Sequence, residues 1–247
     1  MKTNNKIKKR ENLVFKYNYC NGGQNKNNIG FCRACSDNQI HQHMKKHADN
    51  WCCNSNSPCF QYYNNEITRE ELDSYDYVCD ESLLFKNWKT YAGYSKSNKP
   101  KTIRSSNLNT LCTVTTRDFN STEDERFIFA VFMVDELFEG DNEHQGHVSC
   151  NSKYKIKLSY DEAKKMPFWK YYYCPKSPQT VKWGSNLFRY IDYLQAAYIL
   201  RDIALIKKDT KDEELANEFY EHFCKINHID VVGEPNGALT LPDYILK

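Results

Sequence analysis

The sequence predicts an α+β protein with three parts: a small zinc-stapled N-terminal module, a mixed β-barrel or sheet domain, and C-terminal helices. Seven of the eleven cysteines lie in the first eighty residues, which indicates a metal-binding or disulfide-linked module. Apolar, β-branched segments after residue 109 are typical of buried strands. Two later stretches have the apolar periodicity of helices.

The chain begins with a basic tail, residues 1–12. Its positive charge is typical of a signal peptide, but the apolar stretch that such a peptide needs is missing. No run of eighteen apolar residues occurs elsewhere, so the sequence predicts no membrane partner. We therefore expect a cytoplasmic protein, in which thiols stay reduced and a metal site is favoured over disulfides.

Residues 13–82 form the predicted zinc module. A C-x-x-C pair is followed sixteen residues later by a second cysteine cluster, and four thiolates at such spacing bind Zn²⁺ tetrahedrally. The candidate ligands are Cys20, Cys32, Cys35, Cys52 and Cys59. One set combines Cys32, Cys35 and Cys59 with Cys52 or Cys53, and another combines Cys20, Cys35, Cys52 and Cys59. The sequence predicts a structural zinc ion and leaves its ligand set open.

Local signals place short elements within this module. Residues 13–19 are predicted to form a short strand that leads into Cys20, and residues 37–49 have helical composition with Asp37 as the expected N-cap. Thr68 and Glu71 have the spacing of a capping box, which predicts a helix that begins after Thr68.

Histidines between the two cysteine clusters raise the question of catalysis. His41 or His43 could act as the general base of an HNH-like, metal-dependent nuclease. The more ordinary interpretation, exposed histidines or alternative zinc ligands, is favoured because the rest of the HNH pattern is missing. The sequence also lacks G-x-G-x-x-G, P-loop, G-x-S-x-G and H-E-x-x-H motifs. Enzymatic activity is therefore left open, and a non-catalytic role is preferred.

A second region, residues 83–228, carries the main strand signals. Residues 95–108 are polar and form the expected connector. Residues 110–116 and 154–158 have strand patterns, and residues 127–134 are apolar on both faces, which predicts a central strand.

Two helices are predicted to end the folded part of the chain. Asp192 is the expected N-cap of a helix over 193–207, and Thr210 with Glu213 forms a capping box for the next helix. Residues 229–247 contain two glycines and two prolines and are predicted to be an irregular tail.

Four segments of the second region together resemble the PUA-like superfamily, particularly its EVE and YTH branches. They are WKTYAGY (88–94), TVTTR (113–117), FIFAVFMVD (127–135) and WGSNLFRY (183–190). The resemblance implies a curved β-barrel whose aromatic pocket accepts a modified or flipped base. It also implies pocket residues Trp88, Tyr91, Trp183 and Asn186, with Lys89, Arg104 and Arg189 as phosphate contacts.

The charge pattern is compatible with this resemblance. The net charge is only +2, which argues against general coating of polyanions, but basic and aromatic residues alternate over 86–104. We therefore expect a nucleic-acid-binding protein, with DNA favoured over RNA, and a reader of modified bases in prokaryotic defence as the most specific version. The alternatives are the nuclease above and a module that binds a protein partner.

Overall fold

The computed structural model describes residues 11–24, 27–46, 51–95 and 97–240, and these form an α+β fold. The strands are β1 (Asn12–Lys16), β2 (Lys89–Tyr91), β3 (Leu111–Thr116), β4 (Phe127–Met133), β5 (Glu136–Phe138), β6 (His147–Ser149), β7 (Lys155–Lys157) and β8 (Phe188–Ile191). The helices are α1 (Asp37–Lys46), α2 (Pro58–Tyr63), α3 (Arg69–Ser74), α4 (Asp80–Asn87), α5 (Tyr160–Lys164), α6 (Tyr193–Lys207) and α7 (Glu213–Ile226).

A five-stranded sheet in the order β7-β4-β3-β1-β8 forms the centre of the molecule. β1 runs parallel to β3 and antiparallel to β8, and the other neighbours are antiparallel. Every residue of β4 is buried, as its apolar sequence predicts. The strand signals at 13–19, 110–116 and 154–158 correspond to β1, β3 and β7.

The five-stranded sheet is open, and the expected closed barrel is wrong. Among the described residues no ladder joins the edge strands β7 and β8. These strands have only three and four residues, which leaves little backbone for closure. The α+β class itself is confirmed.

A smaller antiparallel sheet, in the order β2-β6-β5, packs beside the first. The Thr90 hydroxyl of β2 lies 3.8 Å from the Cys112 sulfur of β3 and links the two sheets. Just before β2, the Trp88 ring packs edge-on against Phe132 of β4, with 6.1 Å between ring centroids. The three strands of this sheet are short and were not predicted, because three residues are too few for a period-2 pattern.

The cysteine-rich segment shares its core with the rest of the chain. Phe31 stacks on Phe129 of β4 with ring centroids 4.2 Å apart, and both side chains are fully buried. β1, which comes from the 13–82 region, pairs with two strands of the 83–228 region. The two regions therefore contribute to one sheet and one hydrophobic core.

Capping explains most of the helix starts. Capping boxes at Thr68, Ser159 and Asp192 begin α3, α5 and α6, and the predicted caps Thr68 and Asp192 are thereby confirmed. Two expected caps are wrong. Asp37 is the first residue of α1, and the hydroxyl of the preceding Ser36 accepts the Gln39 N–H at 3.4 Å.

The second wrong cap lies between the last two helices. The hydroxyl of Thr210 donates to the Lys207 carbonyl at 2.7 Å and so closes the end of α6, while α7 begins only at Glu213. Beyond α7 the described part of the tail has no helix or strand up to residue 240. The remaining tail residues, 241–247, the basic tail to residue 10 and the predicted end of α1 at 47–49 lie outside the described residues.

Candidate nucleic-acid interface

A basic cleft of about 1280 Å³ lies between the 99–105 segment, the 139–142 turn and β8. Its charged lining consists of Lys99, Lys101, Arg104 and Arg189 against Glu139 and Asp141. The Tyr190 hydroxyl accepts the backbone N–H of Arg104 at 3.1 Å and fixes the segment against β8. Among the described residues no carboxylate pairs with Lys99, Lys101 or Arg104. Their charges are thus available to a polyanion.

Arg189 connects this cleft to the tryptophan behind it. Its guanidinium lies 5.4 Å from the Trp183 ring centroid and 5.2 Å from that of Tyr172. Nη1 donates to the Tyr172 hydroxyl at 2.8 Å, and Nη2 donates to the carbonyls of Lys182 and Trp183. The Nε–H is buried and has no hydrogen-bond partner within the described part of the chain. Fixed in this way, Arg189 keeps one donor unused.

A second cavity, the aromatic hollow, has a volume of about 890 Å³ and lies where β1 ends. Its aromatic lining consists of Tyr17, Tyr19, Phe119 and Trp183, and its polar lining includes Lys16, Asn18, Glu81, Arg117, Glu123 and Arg126. Leu187 lines both the hollow and the basic cleft. The two cavities therefore meet at the 181–187 segment.

Charges of both signs lie close together on the wall of the hollow. Burial lowers the pKa of Lys16, repulsion from Arg126 lowers it further, and Glu123 opposes these effects. Arg126 is itself held by Glu123, with Nε 2.5 Å from the carboxylate, and its guanidinium lies 5.0 Å from the Trp183 ring. Glu81 and Asp118 line the same hollow, so its wall offers both hydrogen-bond donors and acceptors.

A third, smaller space, the cysteine cavity, has a volume of about 170 Å³ and is lined by Cys35, Cys52, Cys59 and Cys79. Cys20 is buried, and its sulfur donates to the Arg33 carbonyl at 3.6 Å, two residues before Cys35. Cys32, by contrast, is exposed. Across residues 11–24, 27–46, 51–95 and 97–240, no three His, Cys, Asp or Glu side chains converge closely enough to hold a metal ion. The structure thus gathers Cys20, Cys35, Cys52 and Cys59 near one space and leaves Cys32 outside it.

The two candidate catalytic histidines lie on α1 in different surroundings. The His41 ring packs edge-on against Tyr63, with 5.1 Å between centroids. His43 is buried; Gln39 Nε2 lies 2.9 Å from its Nε2, and the Cys52 sulfur lies 3.7 Å from its Nδ1. Both ring nitrogens of His43 are therefore engaged within the protein.

The residues assigned through the PUA-like resemblance fall into two groups. Arg104, Asn186 and Arg189 line the basic cleft, and Trp183 lies next to it with 3% of its surface exposed. Trp88, Lys89 and Tyr91 instead belong to the smaller sheet and the turn before it. There Lys155 lies 5.9 Å from the Trp88 ring centroid, and Lys89 lies 5.5 Å from that of Tyr91, which lines the cysteine cavity.

Sequence reasoning missed several residues of the hollow and the cleft. Phe119 and Arg117 come from the β3–β4 loop, and Lys16 and Tyr17 come from the end of β1. Lys99 and Lys101 were noted only as part of a basic stretch. The meeting of β1 with the β3–β4 loop required knowledge of the sheet order.

Comparisons with known proteins give no assignment: no protein-family model, no curated protein and no solved structure matches the chain. Within the described residues, no helix has both the length and the apolar character needed to cross a bilayer.

Proposed function

We propose that the protein binds nucleic acid, with the basic cleft along the phosphate backbone and the aromatic hollow around one base turned out of its stack. A modified base read in the hollow is the most specific version. The observation that carries the proposal is that Leu187 lines both cavities, while the Arg189 guanidinium of the cleft lies 5.4 Å from the ring centroid of Trp183 in the hollow. A backbone site and a base site next to each other are what recognition of a flipped nucleotide requires.

The basic cleft is suited to phosphates because its cations outnumber its carboxylates, four to two. Contacts between cations and phosphates give affinity without sequence information and depend on salt. Asn186, at the cleft surface, adds an amide that can bond to sugar or phosphate oxygens. The proposal takes DNA as the first partner to test and RNA as the second.

The aromatic hollow is suited to a base because it combines rings with polar groups. Tyr17 and Phe119 are half-buried, so part of each ring is available for stacking. The Glu81 carboxylate accepts the Asn18 backbone N–H at 3.3 Å, and both residues line the cavity. Such groups can bond to the polar edge of a base, which supplies selectivity that stacking lacks.

The test uses fluorescence anisotropy with labelled duplexes that differ only at one base: cytosine, 5-methylcytosine, 5-hydroxymethylcytosine, adenine or N6-methyladenine. We expect salt-dependent binding of all of them and tighter binding of one modified form. Phe119→Ala should weaken that preferred complex about 5- to 150-fold, the worth of one base–aromatic stack. The matched control is Tyr75→Ala, an exposed aromatic residue outside both cavities.

Other outcomes separate the alternatives. Absence of salt-dependent binding to either DNA or RNA would overturn the proposal and favour a protein-interaction module. Nicking of the duplex with Mg²⁺ or Mn²⁺, lost in His41→Ala or His43→Ala, would instead establish a nuclease. Binding that is salt-dependent but indifferent to Phe119→Ala would reject the hollow as the base site.

A further inference from the structure

The cysteine cluster of the N-terminal segment lies next to the aromatic hollow and shares residues 16–19 with its lining, but its thiols are not among the proposed nucleic-acid contacts. We propose that Cys20, Cys35, Cys59 and Cys79 together bind one structural Zn²⁺ ion. This set includes Cys79, which lies twenty residues after the second cysteine cluster, and excludes Cys32 of the C-x-x-C pair.

The first argument is that these four thiols are mutual neighbours. Cys35, Cys59 and Cys79 line one cavity. The Cys20 sulfur is buried and donates to the Arg33 carbonyl at 3.6 Å, two residues before Cys35. Charges on Cys59 and Cys79 act on Cys35, and charges on Cys20 and Cys59 act on Cys79. Cys52 also lines the cavity, but its sulfur lies 3.7 Å from the Nδ1 of His43 and is engaged there.

The second argument is that the Cys79 sulfur already accepts a backbone hydrogen bond. The N–H of Ser82 points to this sulfur at the start of α4. Backbone N–H donors of this kind stabilise the charged thiolate, as outer-shell partners of a metal ligand do. A thiol that only fills apolar space does not need a backbone N–H donor.

The loop that carries Cys20 is shaped for this arrangement. Gly30 crosses so close to Gly22 that a Cβ on Gly30 would lie 2.1 Å from the Gly22 nitrogen. The Gly30 N–H donates to the Cys20 carbonyl at 3.0 Å and closes the loop. Apolar burial offsets part of the cost of ordering this glycine-rich loop, since Ile29 and Phe31 at its end belong to the hydrophobic core. A bound ion would add to this stabilisation.

The third argument concerns burial and charge. Cys20, Cys35 and Cys59 are each less than one-tenth exposed, so a cation would be shielded from water. Arg69 donates to the Cys35 carbonyl at 2.8 Å and is itself paired with Asp37 and Asp73. It therefore fixes the segment that carries Cys35. Four sulfurs also complete the tetrahedron, so the ion would have no open position for catalysis.

The four sulfurs lie near one cavity but do not converge on a common position. Zinc binding therefore requires rotation of the cysteine side chains toward the centre of the cavity. The position of a cysteine sulfur is set by one side-chain torsion, χ1, which has three staggered positions. Rotation about χ1 therefore moves each sulfur without moving the backbone.

The test measures zinc in the full-length protein purified without chelator. We expect about one equivalent per chain in the wild type and less than about half in Cys79→Ser. The matched controls are Cys32→Ser and Cys53→Ser, which should keep the ion. Cys79→His should also keep it, because Cys₃His sites bind zinc, and this variant separates loss of a ligand from loss of the fold.

Substitution with Co²⁺ gives a second readout that does not depend on stability. Four thiolates should give tetrahedral d–d bands and a strong sulfur-to-cobalt charge-transfer band, which should fall by about a quarter in Cys79→His. Zinc lost from Cys32→Ser but kept by Cys79→Ser would overturn the assignment in favour of the C-x-x-C pair. A metal-free protein with a Cys20–Cys35 disulfide in non-reducing peptide mapping would overturn it in favour of a redox pair. Nucleic acid is absent from these measurements, so their failure leaves the proposed function untouched.

Discussion

Removal of two charges from the basic cleft should change the salt dependence of binding in a calculable way. Lys99, Lys101 and Arg104 are free of ion pairs with described carboxylates, whereas the terminal nitrogens of Arg189 are held by Tyr172 and two carbonyls. We therefore count three phosphate contacts. On duplex DNA, log K should fall against log salt with a slope of about −2.7, which is 0.9 for each contact.

The perturbation is the double variant Lys101→Ala/Arg104→Ala, which leaves one of the three contacts. Its slope should be about −0.9. Between 50 and 200 mM salt, the wild type should thus lose about 40-fold in affinity and the double variant about 3.5-fold. The assay is anisotropy of one labelled duplex at four or more salt concentrations in that range.

The control is Lys208→Ala/Lys211→Ala, which removes two exposed lysines from the connection between α6 and α7. It changes the net charge by the same amount and lies outside the cleft. If both double variants have the wild-type slope, the phosphates contact another surface and the reasoning is refuted. If both lower the slope equally, binding depends on overall charge and the cleft has no special role.

Two further predictions concern stability. Lys207→Met should cost about 2–3 kcal/mol at neutral pH, because Lys207 Nζ lies 2.8 Å from the carboxylate of Glu162, 16% exposed, and removal of one partner leaves the other buried. Burial raises the pKa of Glu162, but hydrogen bonds from Lys207 and Ser159 outweigh it and hold the pKa below its ordinary value. The stabilisation by the Lys207–Glu162 pair is therefore full above the unfolded pKa of Glu162, about 4.3, and is lost as pH falls through the folded pKa. Denaturant titrations at several pH values measure this, and a parallel loss of stability in wild type and variant would contradict it. Phe31→Ala should lower the free energy of unfolding by about 3–5 kcal/mol, because the Phe31 ring packs on Phe129 in the shared core. The variant should still unfold in a single transition. Two separate transitions in calorimetry would show that the cysteine-rich segment and the rest of the chain unfold independently.

Features whose signal lies within a few adjacent residues could be predicted from the sequence, and pairings between residues distant in sequence could not. The capping boxes at Thr68, Ser159 and Asp192 depend on two residues three positions apart, so the chain itself contains the whole signal. Thr210 has the same signal, yet its hydroxyl donates to the Lys207 carbonyl at the end of α6 and accepts the N–H of Asp212, which precedes α7. A short pattern cannot tell which of two adjacent helix ends will use a hydroxyl.

The residues of the candidate site also divide into contacts near in sequence, which could be predicted, and distant contacts, which could not. Arg189 and Trp183 could be named in advance because they lie six residues apart in one aromatic segment, and they do lie together. Lys16 and Arg126, in contrast, are 110 residues apart in the chain and meet through the parallel pairing of β1 with β3 and the β3–β4 loop. The register of such a pairing depends on the core as a whole. No local pattern could have placed these two charges on one wall.

The end of β1 connects the proposed metal site with the proposed base site. Residues 16–19 line both the aromatic hollow and the space next to the cysteines, and Cys20 follows at once. An ion on Cys20 would fix this segment, and with it the Tyr17 ring in the hollow. The basic cleft, built from the 99–105 segment, the 139–142 turn and β8, contains no residue of this segment.

Metal removal should therefore act on base selectivity and leave the salt slope unchanged. We expect chelation of zinc, or Cys79→Ser, to reduce the preference for the modified duplex while the slope stays at about −2.7. The double variant Lys101→Ala/Arg104→Ala should do the reverse, with a lower slope and an intact preference. If chelation changes both quantities together, the ion supports the whole fold and has no particular connection to the hollow. If it changes neither, the end of β1 is held by its pairing with β3 and β8 alone.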